Sequence, residues 1–137
     1  MPDVVSRIQM PIESEDDVAV VRRRVRDVAV EIKLDSFAIA GVTTAASELT
    51  RNVWVHAGRG GALIEVLEDG YRKGVRLTFK DEGPGIADLG RALAGGFSTS
   101  RSMGLGLSGS RRLVDEFDIR TVPGKGTTVT VVKWKPY

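Results

Sequence analysis

The sequence predicts a two-layer α/β sandwich, with a mixed, mostly antiparallel sheet and helices on one face. Three observations carry this. Val18, Val21, Val25, Val28 and Ile32 recur at spacings of three and four, the stripe of an amphipathic helix. Five short runs rich in β-branched residues are bounded by glycine, proline or aspartate, which reads as five strands. Their order along the chain is strand, helix, helix, strand, strand, glycine-rich segment, helix, strand, strand, which suits helices packed on one side of a sheet.

Val4 to Met10 is the first expected strand, closed by Pro11. Ser14, with Asp17 three residues on, resembles a capping box and opens a helix to about Leu34. Asp35 and Ser36 then cap a second helix, about Phe37 to Ala57, stopped by Gly58. Ala62 to Leu67 and Val75 to Phe79 are strands joined by a turn through Asp69-Gly70 and Lys73-Gly74. A glycine-rich segment runs from Gly83 to Gly109, with a short helix expected at Asp88 to Ala94 and a longer one from about Leu105 to Phe117. Two last strands, about Asp118 to Val122 and Thr127 to Trp134, meet at Pro123-Gly124-Lys125-Gly126.

Composition narrows the function classes. At 137 residues the chain reads as one domain, residues 1–137, long enough for a hydrophobic core. Without cysteine it can form neither disulfides nor thiolate metal sites. No apolar run approaches the roughly 18 residues of a membrane span, and no basic segment with an apolar core opens the chain. The expectation is a cytoplasmic protein without a membrane partner. The cluster Arg22-Arg23-Arg24 with Arg26 has no interleaved aromatic and is flanked by acids, so it reads as a solvated helix face and not as a nucleic-acid site.

The chemistry is concentrated in three segments. Glu48 and Asn52 stand four residues apart on the second expected helix, so both side chains can reach one object. Ala45, Leu49, Val53 and Ala57 form an apolar stripe, and Glu48, Asn52 and His56 form a polar row beside it, at the edge of a cleft. Asp81 ends a strand and precedes Gly83 and Gly85, which allow close backbone packing near its carboxylate, a placement suited to recognising the exocyclic amine of a base. Gly104-Leu105-Gly106-Leu107-Ser108-Gly109 runs into a helix start, where free N–H groups favour phosphate. The pattern is neither a Walker loop nor a Rossmann fingerprint. Turns alone account for Gly58, Gly70 and Gly74, and a proton-handling acid, a metal-holding amide and a phosphate loop together describe a nucleotide site.

In order and spacing these segments resemble the N, G1 and G2 boxes of the GHKL ATPase superfamily, the Bergerat fold, and Gly124-Lys125-Gly126-Thr127 resembles its last box. Within it the chain is most similar to RsbT-type serine/threonine switch kinases, through Ser47-Glu48-Leu49-Thr50-Arg51-Asn52, Gly96-Phe97-Ser98-Thr99-Ser100, Arg111 to Phe117 and Lys133-Trp134. The resemblance implies ATP and Mg²⁺ as cofactors. It makes Glu48 the general base, Asn52 the Mg²⁺ ligand and Asp81 the acid that accepts from the adenine amino group, with Gly83 and Gly85 shaping that pocket. It makes Gly104, Leu105 and Gly106 the phosphate-facing backbone and residues 95–103 an ATP lid, in which Ser98, Thr99 and Arg101 face phosphate. Whether Arg101 reaches the γ-phosphate stays open. Thr127 lines the base pocket in this reading, although a strand threonine needs no such role. Lys125 reads as a surface turn residue, His56 as a structural residue hydrogen-bonded beneath the site, and Trp54 and Trp134 as core or interface anchors.

The resemblance further implies a kinase that phosphorylates a STAS-domain regulator of the RsbS/RsbR kind and binds the regulatory region of a PP2C-type phosphatase. The alternatives are an anti-sigma kinase that binds a sigma factor directly, and a non-catalytic nucleotide-dependent binding module, against which Glu48 argues. A homodimer stays open, since related anti-sigma kinases dimerise.

Overall fold

The structure, a computed structural model, describes residues 2–85 and 106–136. Its elements are β1 (Asp3–Ile12), α1 (Asp17–Glu31), α2 (Ser36–Ala57), β2 (Gly60–Asp69), β3 (Arg72–Asp81), α3 (Gly106–Arg112), β4 (Glu116–Val122) and β5 (Gly126–Trp134). The strands form one sheet in the order β1-β2-β3-β5-β4.

The two-layer sandwich is as expected, but the sheet is not mixed. Every pairing among the described residues is antiparallel. β3 and β4 run in the same direction, yet β5 returns between them and pairs with both. The parallel relation therefore exists without a parallel ladder.

The core lies between the helices and one sheet face. It holds the α1 stripe of Val18, Val21, Val25 and Val28, then Val42, Leu49 and Val53 of α2, and Ile64, Leu77, Phe79 and Val131 of the sheet, all buried. Fully burying each such side chain contributes about 1.5–3 kcal/mol before entropy is counted. The opposite sheet face carries a smaller cluster of Leu67, Val132 and Trp134. Beside it Glu65, only 3% exposed, pairs with Arg7 at 3.2 Å and Arg76 at 2.8 Å.

Local chemistry explains the helix ends. The Asp35 carboxylate caps α2 by accepting from the Ala38 N–H at 2.7 Å. Gly58 closes α2 at φ 80° and donates to the carbonyls of Trp54 and Val53. The α1 start differs from the expected capping box. Asp17 does reach back, accepting from Glu13 and Ser14 N–H, but the Ser14 hydroxyl caps nothing and the helix begins at Asp17. α1 also stops at Glu31, short of Leu34, because Lys33 turns into the left-handed region at φ 64° and the Leu34 N–H folds back to the Ala29 carbonyl.

Three further expectations are corrected. β1 continues through Pro11, which pairs opposite Gly61. An edge strand tolerates proline because one side of it needs no ladder donor. Gly74 is not a turn residue: the hairpin turn is Gly70-Tyr71, and Gly74 lies buried in β3 with an added Cβ only 2.6 Å from the Trp134 ring. The helix expected to reach Phe117 ends at Arg112. The edge of β5 recruits the residues that follow. The Asp115 N–H donates to the Val132 carbonyl, the Asp115 carboxylate accepts from Trp134 N–H at 2.7 Å, and Glu116 accepts from Trp134 Nε1 at 2.6 Å.

Candidate active site on helix α2

α2 presents its polar row beside a buried, internally satisfied face. The hydroxyls of Thr43, Ser47 and Thr50 donate to carbonyls one turn back, at 2.8, 3.0 and 2.7 Å. Those bonds let fully buried Thr50 sit in the core without an orphaned polar atom. One residue or turn away, Glu48 is shielded but not sealed, with its side chain 13% exposed. Its Oε1 lies 3.4 Å from Arg51 Nη1. Asn52 is half-buried one turn further along, and among the described residues its amide makes no hydrogen bond.

The second wall comes from the end of β3. Asp81 is half-buried, and its Oδ1 accepts from the Gly83 N–H at 2.9 Å. That bond orients the carboxylate and leaves Oδ2 as an acceptor. The wall meets α2 closely. A Cβ on Gly83 would lie 2.6 Å from Ala57 Cβ, and one on Gly60 would lie 2.7 Å from Val53 and 3.2 Å from Asp81 Cβ. Glu48 and Asn52 therefore stand on the helix whose last turns touch the Asp81 loop.

The third wall is the β4–β5 turn. Thr127 pairs directly across from Asp81, and its hydroxyl lies 3.0 Å from that of Thr121. The Gly124 N–H donates to the Pro84 carbonyl at 2.6 Å. Gly85, at φ 75°, would place a Cβ 2.6 Å from the Val122 carbonyl oxygen. Gly126, at φ 136°, would drive one into the Asp81 carbonyl. Glycine is required at these contacts, since backbone atoms cannot give way.

Six of the expected site residues, Glu48, Asn52, Asp81, Gly83, Gly85 and Thr127, are thus carried on three adjoining segments. Gly106 begins α3. Ser98, Thr99, Arg101, Gly104 and Leu105 lie outside the described residues, as does the short helix expected at residues 88–94. His56 departs from expectation. It is exposed in the last turn of α2 and, among the described residues, makes no hydrogen bond. The resemblance implied a place beneath the site, but the polar row winds outward by the helix end. Lys125 is an exposed turn residue as expected, and Trp134 is a buried anchor with Arg72 stacked 3.8 Å over its ring. The sequence reading missed Arg51, Gly60, Thr121 and Gly126. Arg51 had a local signal in its i,i+3 spacing from Glu48, and Gly126 one in its place in the last box.

The arrangement combines a shielded carboxylate, a free amide oxygen and an oriented acid beside close-packed glycines. Among the described residues no cluster of three or more metal-ligating side chains exists, so any cation here takes few protein ligands. The family model for the histidine kinase-like ATPase domain matches residues 11–133. The chain belongs to the histidine kinase-like ATPase family. It is 42% identical over 123 residues to the serine/threonine-protein kinase RsbT of Bacillus subtilis (strain 168), covering 90% of this chain and 92% of that one. It is 31% identical over 101 residues to the anti-sigma F factor of Thermoanaerobacter sp. (strain X514), covering 70% of each. In fold it is similar to the RsbU and RsbW domains of Rv1364c from Mycobacterium tuberculosis. The TM-score is 0.66 at 21% identity, covering 96% of this chain and 34% of that one. The enzyme class is protein serine/threonine kinase.

Proposed function

We propose that this chain transfers the γ-phosphoryl group of ATP to a serine or threonine hydroxyl of a STAS-domain protein, with Glu48 as the general base. The placement of Glu48 one helical turn before Asn52, on the helix that touches the Asp81–Gly83 loop, carries the reading. A base must lie within hydrogen-bond reach of the proton that it takes. Glu48 accepts the hydroxyl proton, the hydroxyl oxygen bonds to the γ-phosphorus, and the bond to the β-phosphate oxygen breaks to release ADP. Asp81 Oδ2 accepts from the adenine amino group, and Gly83, Gly85 and Thr127 border the base. Ser98, Thr99, Arg101, Gly104, Leu105 and Gly106 are assigned to the phosphates.

Asn52 would hold Mg²⁺. Its amide offers a hard oxygen, half-buried and free of other bonds among the described residues, which fits an ion that keeps most of its waters. When bound, the ion neutralises charge on the phosphates.

The same reading places the protein in the cytoplasm, where a PP2C-type phosphatase is its second partner. Release from the STAS protein after phosphorylation then frees it for the phosphatase, which requires differential affinity for the two STAS forms. Among the described residues no helix is long and apolar enough to cross a membrane. A second reading, an anti-sigma kinase that binds a sigma factor, is favoured by the similarity to an anti-sigma F factor. Intact-mass measurement after mixing with Mg-ATP and a STAS-domain protein tests the first. One phosphate added by the wild type and none by Glu48→Ala, with ATP binding kept, supports it. Transfer by Glu48→Ala removes Glu48 as base. Binding of ATP without transfer favours the sigma-binding or the non-catalytic reading, and a sigma-factor pull-down separates the two.

A further inference from the structure

The sheet face that meets the helices changes chemistry in its last row. Directly opposed residues on paired antiparallel strands share a face, so the register sorts the sheet into rows. One row reads Ala62, Phe79, Val129 and Ile119, all apolar and part of the core. The next, two residues away along each strand, reads Gly60, Asp81, Thr127 and Thr121. It faces the same way, since a Cβ on Gly60 would meet Val53 of α2. Three polar side chains on three neighbouring strands therefore border the core, and two of them, Asp81 and Thr127, are assigned to the base.

The third, Thr121, is half-buried, and its hydroxyl makes two contacts that fix a direction. Its Oγ1 lies 3.3 Å from the Gly126 carbonyl oxygen and 3.0 Å from Thr127 Oγ1. A hydroxyl has one proton to give and two lone pairs to accept with, whereas a carbonyl only accepts. Thr121 therefore donates to Gly126, and the shorter contact is the Thr127 hydroxyl donating to Thr121. The reverse order leaves the carbonyl contact without a proton. The chain of donors ends on firm ground, because Gly126 is packed against the Asp81 carbonyl and its backbone cannot give way. With its proton committed to Thr121, Thr127 offers the base pocket lone pairs alone.

We propose that Thr121 is a positioning residue that selects adenine over guanine, by holding the Thr127 hydroxyl as an acceptor beside Asp81. The inference rests on the assignment of Asp81 and Thr127 to the base. Asp81 and Thr127 are directly opposed, with Cβ atoms about 5 Å apart by strand geometry. Their free acceptors, Asp81 Oδ2 and Thr127 Oγ1, together suit a group that carries two N–H donors, which is the 6-amino group of adenine. Guanine puts a carbonyl oxygen at that position, a third acceptor with no proton to share, and a buried acceptor left unpaired is costly. Without the Thr121 hydroxyl, Thr127 is free to turn and donate to that oxygen. A threonine pair across two strands also steadies a sheet, but sheet pairing does not tell one nucleotide from another.

Calorimetric affinities for Mg-ATP and Mg-GTP test this, with the full chain carrying Thr121→Val, Thr121→Ser, Thr127→Val, or both valines. Valine keeps the shape of threonine and suits a strand, so it removes the hydroxyl alone. The expected result is an ATP-over-GTP preference lowered about three- to tenfold by Thr121→Val, the worth of one hydrogen bond. Thr121→Ser, which keeps the hydroxyl, should hold the unmutated preference. Thr121→Val should add nothing once Thr127 is valine, since it acts only through that hydroxyl. Thr121→Ala reads the same ratio if valine lowers the unfolding midpoint. A ratio unmoved by the Thr121 variants but lowered by Asp81→Asn overturns the role of Thr121 and leaves the base pocket in place. A loss of equal size with and without the Thr127 hydroxyl overturns it as well, because a structural disturbance would give that result. A ratio unmoved by both Asp81→Asn and Thr127→Val overturns the base assignment and this inference together.

Discussion

Asp81 shows how one side chain can serve structure and site at once. Its Oδ1 is engaged by the Gly83 N–H, so the carboxylate is held in one orientation without help from a ligand. Asp81→Asn keeps that bond, provided the amide oxygen faces Gly83, and puts a donor where Oδ2 accepted. The expected outcome is a narrowed preference for ATP over GTP, read from competition binding of the two nucleotides. An unaltered preference would remove Asp81 from the base pocket. Asn52→Ala deletes the amide oxygen, and nucleotide affinity should fall in the presence of Mg²⁺ while changing little in EDTA. Gly126 stands on different ground. At φ 136° and against the Asp81 carbonyl, its substitution by alanine strains the backbone by about 1–3 kcal/mol. Thermal unfolding should record that loss, and nucleotide affinity should fall with it, because the same contact seats the β4–β5 turn on the Asp81 loop.

The two long helices end for different reasons, and their ends give separable tests. α2 has a side-chain cap and a left-handed glycine, so Asp35→Ala should cost about 1 kcal/mol of stability. α1 ends on Lys33 in the left-handed region, a conformation that costs a side chain about 1–2 kcal/mol. Lys33→Gly should therefore raise stability, by up to about 1 kcal/mol once the greater freedom of unfolded glycine is counted. A drop in the unfolding midpoint would mean that the Lys33 side chain contributes more than its backbone costs. Asp35 and Gly58 are cap residues by chemistry and were legible, whereas nothing about a lysine announces a helix end.

At the scale of the whole molecule, the helix-free sheet face ties its strands together through a buried carboxylate whose pairing depends on pH. Burial pushes the Glu65 carboxyl upward, but hydrogen bonds and charge from Arg76, then Arg7, outweigh it and hold the carboxyl below its ordinary value of 4.5. A carboxyl depressed on folding adds stability above its unfolded pKa and loses it as pH falls through the folded one. Stability should then decline as pH drops below about 4.5. Glu65→Gln should flatten that limb while lowering stability at neutral pH, since Arg7 and Arg76 lose their shared partner. Chemical denaturation at stepped pH checks both. An acid limb as steep in the variant as in the wild type would place the effect elsewhere.

The sequence by itself determined the order of the elements, the α1 and α2 stripes, the α2 caps and the joint presence of Glu48, Asn52, Asp81 and Thr127. Each is a local matter of spacing or residue chemistry: one helical turn joins Glu48 to Asn52, and a strand end followed by glycines marks Asp81. Tertiary structure decided the rest. Trp134 and the free edge of β5 drew Asp115 to Phe117 out of a helix and into a ladder, a competition between distant partners that periodicity cannot register. Gly74 is small because Trp134 lies on it, and Gly126 because the Asp81 carbonyl does, and both neighbours are remote in sequence. The all-antiparallel sheet followed from β5 inserting between β3 and β4, a choice of strand order. Spacing along the chain fixes what lies within one helical turn or one strand, but long-range packing sets which of those faces meet.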